Sequence, residues 1–213
     1  MKKTFLIFLI IFSGLSCFGQ EIEFCGSLNT SSEQRFQSSE GIGLQYQHDI
    51  GNKFKLGVGV HYNFNNSRFD YIPYIDADPN LIVTEKINSD SYRFAIRVNI
   101  QRLLKNNENV SISLGPEISY NYLWGHDQIN ERSGQSSNSF TQSNTLTKDL
   151  GIGLISKIEV KKILIPQLSM CFTVRPELMI GKVYQLIGGS PPVFSGVLGF
   201  TEFQIGLKYR FKK

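Results

Sequence analysis

The segment EFQIGLKYRF (residues 202–211) decides the fold, because polar and apolar residues alternate along its whole length. Phe203, Ile205 and Leu207 fall on one parity, and the charged or small residues fall on the other. A period of two residues puts these two sets on opposite faces of a β-strand. The segment is therefore predicted to be a strand with one apolar face and one polar face.

The same alternation recurs in seven segments upstream, which makes eight predicted strands in a chain of 213 residues. These segments lie at about 21–29, 40–50, 53–64, 91–101, 109–124, 148–160 and 166–180. The pattern predicts an all-β protein, an eight-stranded antiparallel up-and-down β-barrel that crosses a membrane.

The connections between these strands alternate in length. Short turns are predicted near Gly51-Asn52, at Lys105–Glu108 and at Lys161-Lys162. Long polar links are predicted at about 30–39, 65–88, 125–147 and 182–194. Outer-membrane barrels have short periplasmic turns and long extracellular loops, and this arrangement is predicted here.

Two of the long links have features of their own. Residues 133–148 are rich in Ser, Asn, Gln and Thr and have no period, so a mobile loop is predicted there. Residues 71–75 and 81–85 flank Asp78-Pro79-Asn80, and this pattern predicts a hairpin above the membrane.

Residues 1–20 are predicted to be a secretory signal peptide. Met1-Lys2-Lys3 gives a positive start, residues 4–15 are apolar, and small residues precede a cleavage site before Gln20 or Glu21. Cleavage leaves a barrel domain over residues 21–213 and removes two lysines from a chain whose formal net charge is +4. The remaining charge gives no reason to expect nucleic acid as a partner.

The polar faces of the strands are predicted to line the lumen. The interior of an eight-stranded barrel is just wide enough for side chains to fill it. A soluble barrel such as a lipocalin would put its apolar faces there, but these polar faces carry many charges of both signs, as a network of buried ion pairs requires. The predicted lumen residues are Glu23, Lys55, Arg93, Arg97, Glu117, Lys157, Glu159, Arg175, Glu177, Glu202, Lys208 and Arg210.

The apolar faces are predicted to contact lipid, so the outer membrane is the expected location and partner. Several strands have an apolar face that spans roughly 9–11 residues, the length that a tilted strand needs to cross. Aromatic residues collect towards the ends of these faces, as expected at membrane interfaces. The predicted girdle near the long links consists of Tyr62, Tyr92, Tyr120, Tyr122 and Trp124.

The last strand resembles the signal by which the barrel-assembly machinery accepts outer-membrane proteins. Gln204 supplies the polar residue, Gly206 follows two positions later, and Tyr209 and Phe211 are aromatics at alternate positions. With its Phe-Gly-Gln leader end, the chain is similar to the PorT-like outer-membrane β-barrel family of Bacteroidota. The resemblance implies the assembly machinery as a partner during biogenesis and permits a part in secretion or gliding. The Lys212-Lys213 tail departs from the pattern, since such signals usually end on the aromatic.

No motif in the sequence indicates a cofactor, a metal ion or an enzyme. Among the histidines, only His61 is predicted to point inward near the outer rim, where a lipid-modifying hydrolase would need it, and no serine can be placed against it. The Gly-x-Gly pairs fall mid-strand instead of at the strand-to-helix turn of a nucleotide site. Cys25 and Cys171 fall on non-adjacent strands and are predicted to be buried free thiols.

The sequence therefore predicts a non-enzymatic barrel protein with a filled lumen, used for anchoring or interaction through its surface loops. One alternative is a conduit for small solutes or hydrophobic ligands, in which Arg93, Arg97 and Arg175 would select anions. A lipid-modifying enzyme is the less favoured alternative. No residue identifies a protein partner.

Overall fold

The computed structural model describes residues 20–32, 38–70, 74–75, 82–133, 136–184 and 193–211. The predicted signal peptide lies outside these residues except for Gln20, and so do the Asp78-Pro79-Asn80 segment and the Lys212-Lys213 tail. No helix in the described ranges is long and apolar enough to cross a membrane.

Eight long strands and one two-residue strand form a single antiparallel sheet. They are β1 (Gln20–Ser31), β2 (Ser39–Ile50), β3 (Phe54–Asp70), β4 (Tyr74–Ile75), β5 (Ile82–Asn106), β6 (Val110–Ser133), β7 (Ser136–Lys161), β8 (Leu168–Tyr184) and β9 (Val193–Arg210). Each long strand pairs with the long strand that follows it in the chain, and β3 pairs directly with β5. Pairing of β1 with β9 closes the sheet, which confirms the predicted eight-stranded up-and-down barrel.

Burial alternates along the strands with the polar side inward. In β1, Glu21 and Glu23 are buried, whereas Phe24 and Leu28 are 58% and 62% exposed. A lipocalin-like barrel would show the opposite, so that alternative is excluded. Apolar side chains stay exposed all around a closed barrel only where hydrocarbon surrounds it. Closure of the sheet meets the second requirement of the lipid, since it leaves no unpaired backbone edge. The barrel therefore spans a membrane.

The two longest predicted loops are mostly strand. β3 continues to Asp70 and β5 starts at Ile82. β6 and β7 stay paired up to Ser133 and Ser136, which are partners in the sheet. The mobile loop predicted at residues 133–148 is therefore wrong. Above the membrane both faces of a strand meet water, so polarity no longer has to alternate although the backbone hydrogen bonds continue. Within the predicted hairpin at residues 71–85, Tyr74 pairs with Val83.

The opposite end of the barrel has three shorter connections. Residues 51–53 join β2 to β3, and Gly51 has a φ of +62°, which favours glycine. Between β5 and β6, Asn107 Oδ1 accepts the backbone N–H of Asn109 at 3.1 Å and of Val110 at 2.6 Å. The connection from β7 to β8 spans residues 162–167, longer than the predicted Lys161-Lys162 turn.

Candidate functional site in the barrel lumen

Eleven of the twelve predicted lumen residues are buried inside the barrel. The exception is Arg210, whose side chain is 46% exposed. Arg210 is the last residue of β9, so it lies at the open rim where the wall ends. Its guanidinium bends back into the lumen, and Arg210 Nε donates to Glu21 Oε1 at 2.7 Å.

A lower cluster of charges fills the lumen near the short turns. Glu21 Oε2 accepts from Lys55 Nζ at 2.7 Å and from Lys208 Nζ at 2.8 Å. Lys208 also bonds to Glu159, and Lys55 Nζ lies 3.9 Å from the same carboxylate. Two lysines and two glutamates from four different strands thus form one connected group.

A separate ion pair lies next to this lower cluster. Lys157 on β7 bonds to Glu23 on β1, two strands that do not touch in the sheet. Cys25 and Cys171 are buried free thiols, as predicted. Both pair with Gly206 from either side, so one strand separates them and their Cα atoms are too far apart to bridge.

An upper cluster crosses the lumen nearer the long strands. Arg97 Nη2 lies 2.5 Å from Glu202 Oε2 and 3.4 Å from Glu177 Oε2. Arg93 Nη2 lies 2.5 Å from Glu177 Oε2. A neutral side chain also bonds to this carboxylate, since Glu177 Oε1 accepts a hydrogen bond from Asn121 Nδ2 at 2.7 Å.

Arg175 and Glu117 form the third cross-lumen link. Arg175 bonds directly to Glu117, and its Nη2 donates to Gln45 Oε1 at 2.6 Å. Arg175 Nε donates to Gln204 Oε1 at 3.0 Å. Glu117 Oε2 also accepts from Asn99 Nδ2 at 3.0 Å. These bonds satisfy a guanidinium and a carboxylate that would be costly to bury unpaired.

The ionic content of the lumen is balanced. Among the described residues, six buried acids face six buried bases. The acids are Glu21, Glu23, Glu117, Glu159, Glu177 and Glu202, and the bases are Lys55, Arg93, Arg97, Lys157, Arg175 and Lys208. A path selective for anions would need an excess of positive charge, which the equal numbers do not provide.

An apolar cluster closes the lumen above the charges. Leu123, Met179, Leu198 and Phe200 point inward and pack together. The Arg93 guanidinium carbon lies 4.2 Å from the centroid of the Phe200 ring, in cation–π geometry. This apolar cap therefore packs against the upper end of the ionic network.

His61 is enclosed in the lumen by its neighbours. A Cβ at Gly43 would overlap its ring, so the glycine makes the space that the imidazole occupies. Gln204 Nε2 lies 3.1 Å from His61 Nδ1, and Glu202 Oε1 lies 3.6 Å from the same nitrogen. These partners are an amide and a carboxylate, and neither is a serine hydroxyl. No group of three or more potential metal ligands occurs in the described part of the chain.

The predicted girdle residues lie on the outer surface. The Trp124 ring centroid lies 5.0 Å from that of Tyr122, 5.4 Å from that of Tyr92 and 6.1 Å from that of Tyr62. Tyr120 lies on the same outward face, two residues before Tyr122 and nearer the middle of the barrel wall. These four ring-contacting residues, Tyr62, Tyr92, Tyr122 and Trp124, are called the aromatic cluster below.

The four residues of the predicted assembly signal divide between the two faces of β9. Gln204 and Gly206 point inward, and a Cβ at Gly206 would come within 2.9 Å of Phe24 O on β1. Tyr209 and Phe211 point outward near the short turns, with ring centroids 5.2 Å apart. The strand that carries the signal is thus the strand that closes the barrel.

Two parts of the lumen were missed by the sequence analysis. Glu21 is a centre of the lower cluster, and its shared parity with Glu23 is a signal that would have identified it. Its position at the predicted cleavage site obscured that signal. The apolar cap was also missed, although Phe200 has the inward parity of Glu202.

No protein-family profile and no curated protein sequence matches the chain. Similar solved structures exist. The structure of Neisserial surface protein A (NspA) matches with a TM-score of 0.55 at 12% identity, over 90% of this chain and 97% of that chain. Ail, the attachment invasion locus protein of Yersinia pestis, gives 0.41 at 16% identity, over 91% and 99%. The outer membrane protein OprG of Pseudomonas aeruginosa gives 0.46 at 11% identity, over 92% and 97%.

These likenesses bear on the fold alone. The last two matches are too loose to support an inference, whereas the match to NspA covers nearly the whole of both chains. None of the matches bears on the PorT-like resemblance, which stays a prediction. The chain has the fold of the eight-stranded outer-membrane β-barrels.

Proposed function

We propose that this protein is a non-enzymatic outer-membrane barrel with a sealed lumen, which acts as an anchor or interaction protein at the cell surface. The observation that carries the proposal is the content of the lumen. Six buried acids and six buried bases neutralise one another below an apolar cap. An interior filled in this way stabilises and fixes the barrel wall and leaves the outer surface as the part that meets other molecules.

The cross-lumen ion pairs argue against a conduit. A solute on the barrel axis would have to separate Arg97 from Glu202 and Lys157 from Glu23. Separating a buried pair leaves two charges that no longer compensate each other in a region of low dielectric, which is strongly unfavourable. Eight strands leave no second path around these side chains.

Planar-bilayer recording tests this proposal. The purified full chain is expected to insert without producing stable single-channel currents, and a large porin in the same bilayer serves as the positive control. Membrane fractionation and a heat-modifiability gel verify that the sample is folded, since a folded barrel migrates faster before boiling. Stable conductance from folded protein would overturn the sealed lumen, and recovery in the soluble periplasm would overturn the membrane location.

The position of His61 supports a non-enzymatic role. The imidazole is buried in the lumen against Gln204 and Glu202, away from the lipid on which a lipid-modifying enzyme acts. Overexpression of the protein is therefore expected to leave lipid A and the phospholipids unchanged in mass spectrometry. A modification that appears on overexpression and disappears in His61→Ala would establish the enzyme alternative.

We also propose the finer assignments that the sequence favours. Residues 1–20 would direct export, and the barrel-assembly machinery would recognise the final strand through Tyr209 and Phe211. The outward position of these two rings supports recognition by another protein before insertion. Membership of the PorT-like family, with a part in secretion or gliding, rests on the C-terminal pattern and the leader end.

A further inference from the structure

A polar cleft of about 410 Å³ lies on the outer face of the barrel wall, on the extended parts of β3, β5, β6 and β7. Every described side chain that lines it carries a hydrogen-bonding group. They are Asn66, Asn88, Asp90, His126, Gln128 and Thr141. This polar concavity begins directly above the apolar outer face, where the strands leave the membrane.

The register of the strands fixes the height of this cleft. Phe64, Tyr92 and Trp124 pair in one row across three strands. The next row on the same face, two residues or about 7 Å further from the short turns, contains Asn66, Asp90 and His126. The Tyr92 and His126 rings contact each other edge to face, with centroids 6.0 Å apart.

The aromatic cluster marks where this wall leaves the hydrocarbon. Tyr and Trp side chains concentrate at the boundary between the acyl chains and the polar head groups. A cleft that begins one row above such rings faces the head groups, not the acyl chains and not the distant solvent. Its occupant is therefore expected to be part of a lipid that is anchored in the outer leaflet.

The chemistry of the cleft favours a hydroxyl-rich, uncharged group. Amides, a hydroxyl and an imidazole offer both donors and acceptors, and a carboxylate offers only acceptors. Asn66 Nδ2 donates to Asp90 Oδ1 at 2.6 Å, which holds this carboxylate in place. The six described lining residues include no lysine or arginine, and their mixed donors and acceptors favour an uncharged polar group. Sugar hydroxyls match such mixed donors and acceptors, with aromatic rings adjacent.

A cation lies at the height expected for the phosphate of the same lipid. Lys148 Nζ lies 5.0 Å from the centroid of the Tyr122 ring, within the aromatic cluster and below the cleft. Sugar in the cleft and phosphate beside Lys148 would follow the order of the two groups along a membrane glycolipid. Lys148 is on β7, the strand that also contributes Thr141 to the cleft, and it pairs with Tyr122 on β6.

We propose that this cleft binds the saccharide head group of an outer-leaflet glycolipid, with Lys148 below it for the lipid phosphate. The inference rests on the proposed outer-membrane location and goes beyond it by naming the ligand and its site. It assigns an interaction surface to one side of the barrel only, the side formed by β3, β5, β6 and β7.

The only tryptophan of the chain, Trp124, lies directly below the cleft and reports on it. Folded full-length protein in detergent is titrated with rough lipopolysaccharide, and a saturable change in Trp124 fluorescence is expected. The Asp90→Ala/His126→Ala variant is expected to bind about tenfold more weakly, because two hydrogen-bonding side chains are lost. Glu108→Ala, a matched carboxylate loss at the opposite rim with an 88% exposed side chain, is expected to bind like the wild type.

Further arms distinguish the source of the saccharide. Deacylated oligosaccharide is expected to bind more weakly than intact lipopolysaccharide, and phosphatidylglycerol is expected to give no saturable response. Equal binding by the double variant, by free oligosaccharide or by phosphatidylglycerol would overturn the proposal, and so would the absence of a saturable change. If the double variant fails the heat-modifiability gel, Asn88→Ala/Gln128→Ala takes its place. Failure here leaves the conductance and fractionation results untouched, so it is distinct from failure of the proposed function.

Discussion

Arg97 on β5 and Glu202 on β9 start from opposite walls of the barrel, and Arg97 Nη2 nevertheless lies 2.5 Å from Glu202 Oε2. Three strands lie between β5 and β9 in either direction around the closed sheet. The pair therefore crosses the whole lumen and ties the C-terminal strand to the middle of the chain. A contact of this kind makes the interior act as one unit with the wall.

Removing one partner of this pair is expected to destabilise the barrel strongly. Glu202→Ala leaves the buried Arg97 guanidinium without its nearest carboxylate, and the expected loss is about 3–5 kcal/mol in the free energy of unfolding. Urea unfolding in lipid vesicles measures it. Glu202→Gln, which keeps the shape and some hydrogen bonding, is expected to lose less.

Replacing both partners with apolar residues is the matched control. In Arg97→Met/Glu202→Leu, Glu177 keeps Arg93 and Glu117 keeps Arg175, so no buried charge is left alone. This double variant is expected to recover most of the stability, since well-packed apolar groups often replace buried pairs at little cost. If it were as unstable as Glu202→Ala, the loss would not come from an unpaired charge.

An added methyl group should destabilise the barrel at Gly43 and have little effect on its stability at Gly26. A Cβ at Gly43 would overlap the His61 ring, so Gly43→Ala is expected to cost about 1–3 kcal/mol through overpacking. A Cβ at Gly26 meets nothing within 4 Å, and Gly26→Ala is expected to stay within about 0.5 kcal/mol of the wild type. Thermal shifts on heat-modifiability gels compare the two variants.

A double-mutant cycle verifies the cause of the first effect. In His61→Ala the ring is absent and Cys25 Sγ, 2.8 Å from the added Cβ, is the remaining close contact, so Gly43→Ala is expected to cost less in that background. Equal costs in both backgrounds would mean that a clash with His61 is not the reason.

A charge on the outer face should reveal the lipid directly. Ile118 is 59% exposed, in the middle of β6, and Ile118→Lys is expected to lose about 2–4 kcal/mol of stability in vesicles. Leu164 is 84% exposed in the turn between β7 and β8, where Leu164→Lys meets water and is expected to be neutral. Equal and small effects at both positions would contradict a membrane around the barrel.

The membrane-spanning part of the fold was predictable because one physical condition acts on every residue of it. With lipid on one side and a polar lumen on the other, each strand must alternate, as residues 202–211 do. Above the aromatic cluster that condition ends. The pairing of Gln128 with Thr141 left no trace in polarity, so strand was mistaken for loop.

The sequence predicts which residues line the lumen, but it does not predict which of them form ion pairs. Parity shows that Arg97 and Glu202 both point inward, but their contact depends on how the sheet closes, which no local pattern records. The apolar cap was hidden for another reason. Leu123 has the inward parity between Tyr122 and Trp124, but an apolar residue there lacks the polarity by which the lumen face was recognised.

Amide exchange should separate strand from loop in residues 136–150. On its β8 side, β7 pairs with described residues only from Gly151 onwards, so above that point β6 is its one partner among the described strands. Alternate amides of β7 are therefore expected to be protected in NMR exchange experiments. The amides of residues 125–133 in β6, which has neighbours on both sides, are expected to be protected without alternation. Uniformly fast exchange in both segments would restore the mobile loop.

The two lumen thiols report whether water reaches the interior. Cys25 and Cys171 are buried and free, in a lumen that the apolar cap closes on one side. A folded chain that begins at Gln20 is therefore expected to resist N-ethylmaleimide, and the unfolded chain is expected to take up two equivalents, counted by intact-mass spectrometry. Ser139→Cys, at an exposed position on β7, is expected to label in the folded state and shows that the reagent is active. Fast labelling of Cys25 or Cys171 in folded protein would mean an aqueous path through the barrel, which favours the conduit over the sealed anchor.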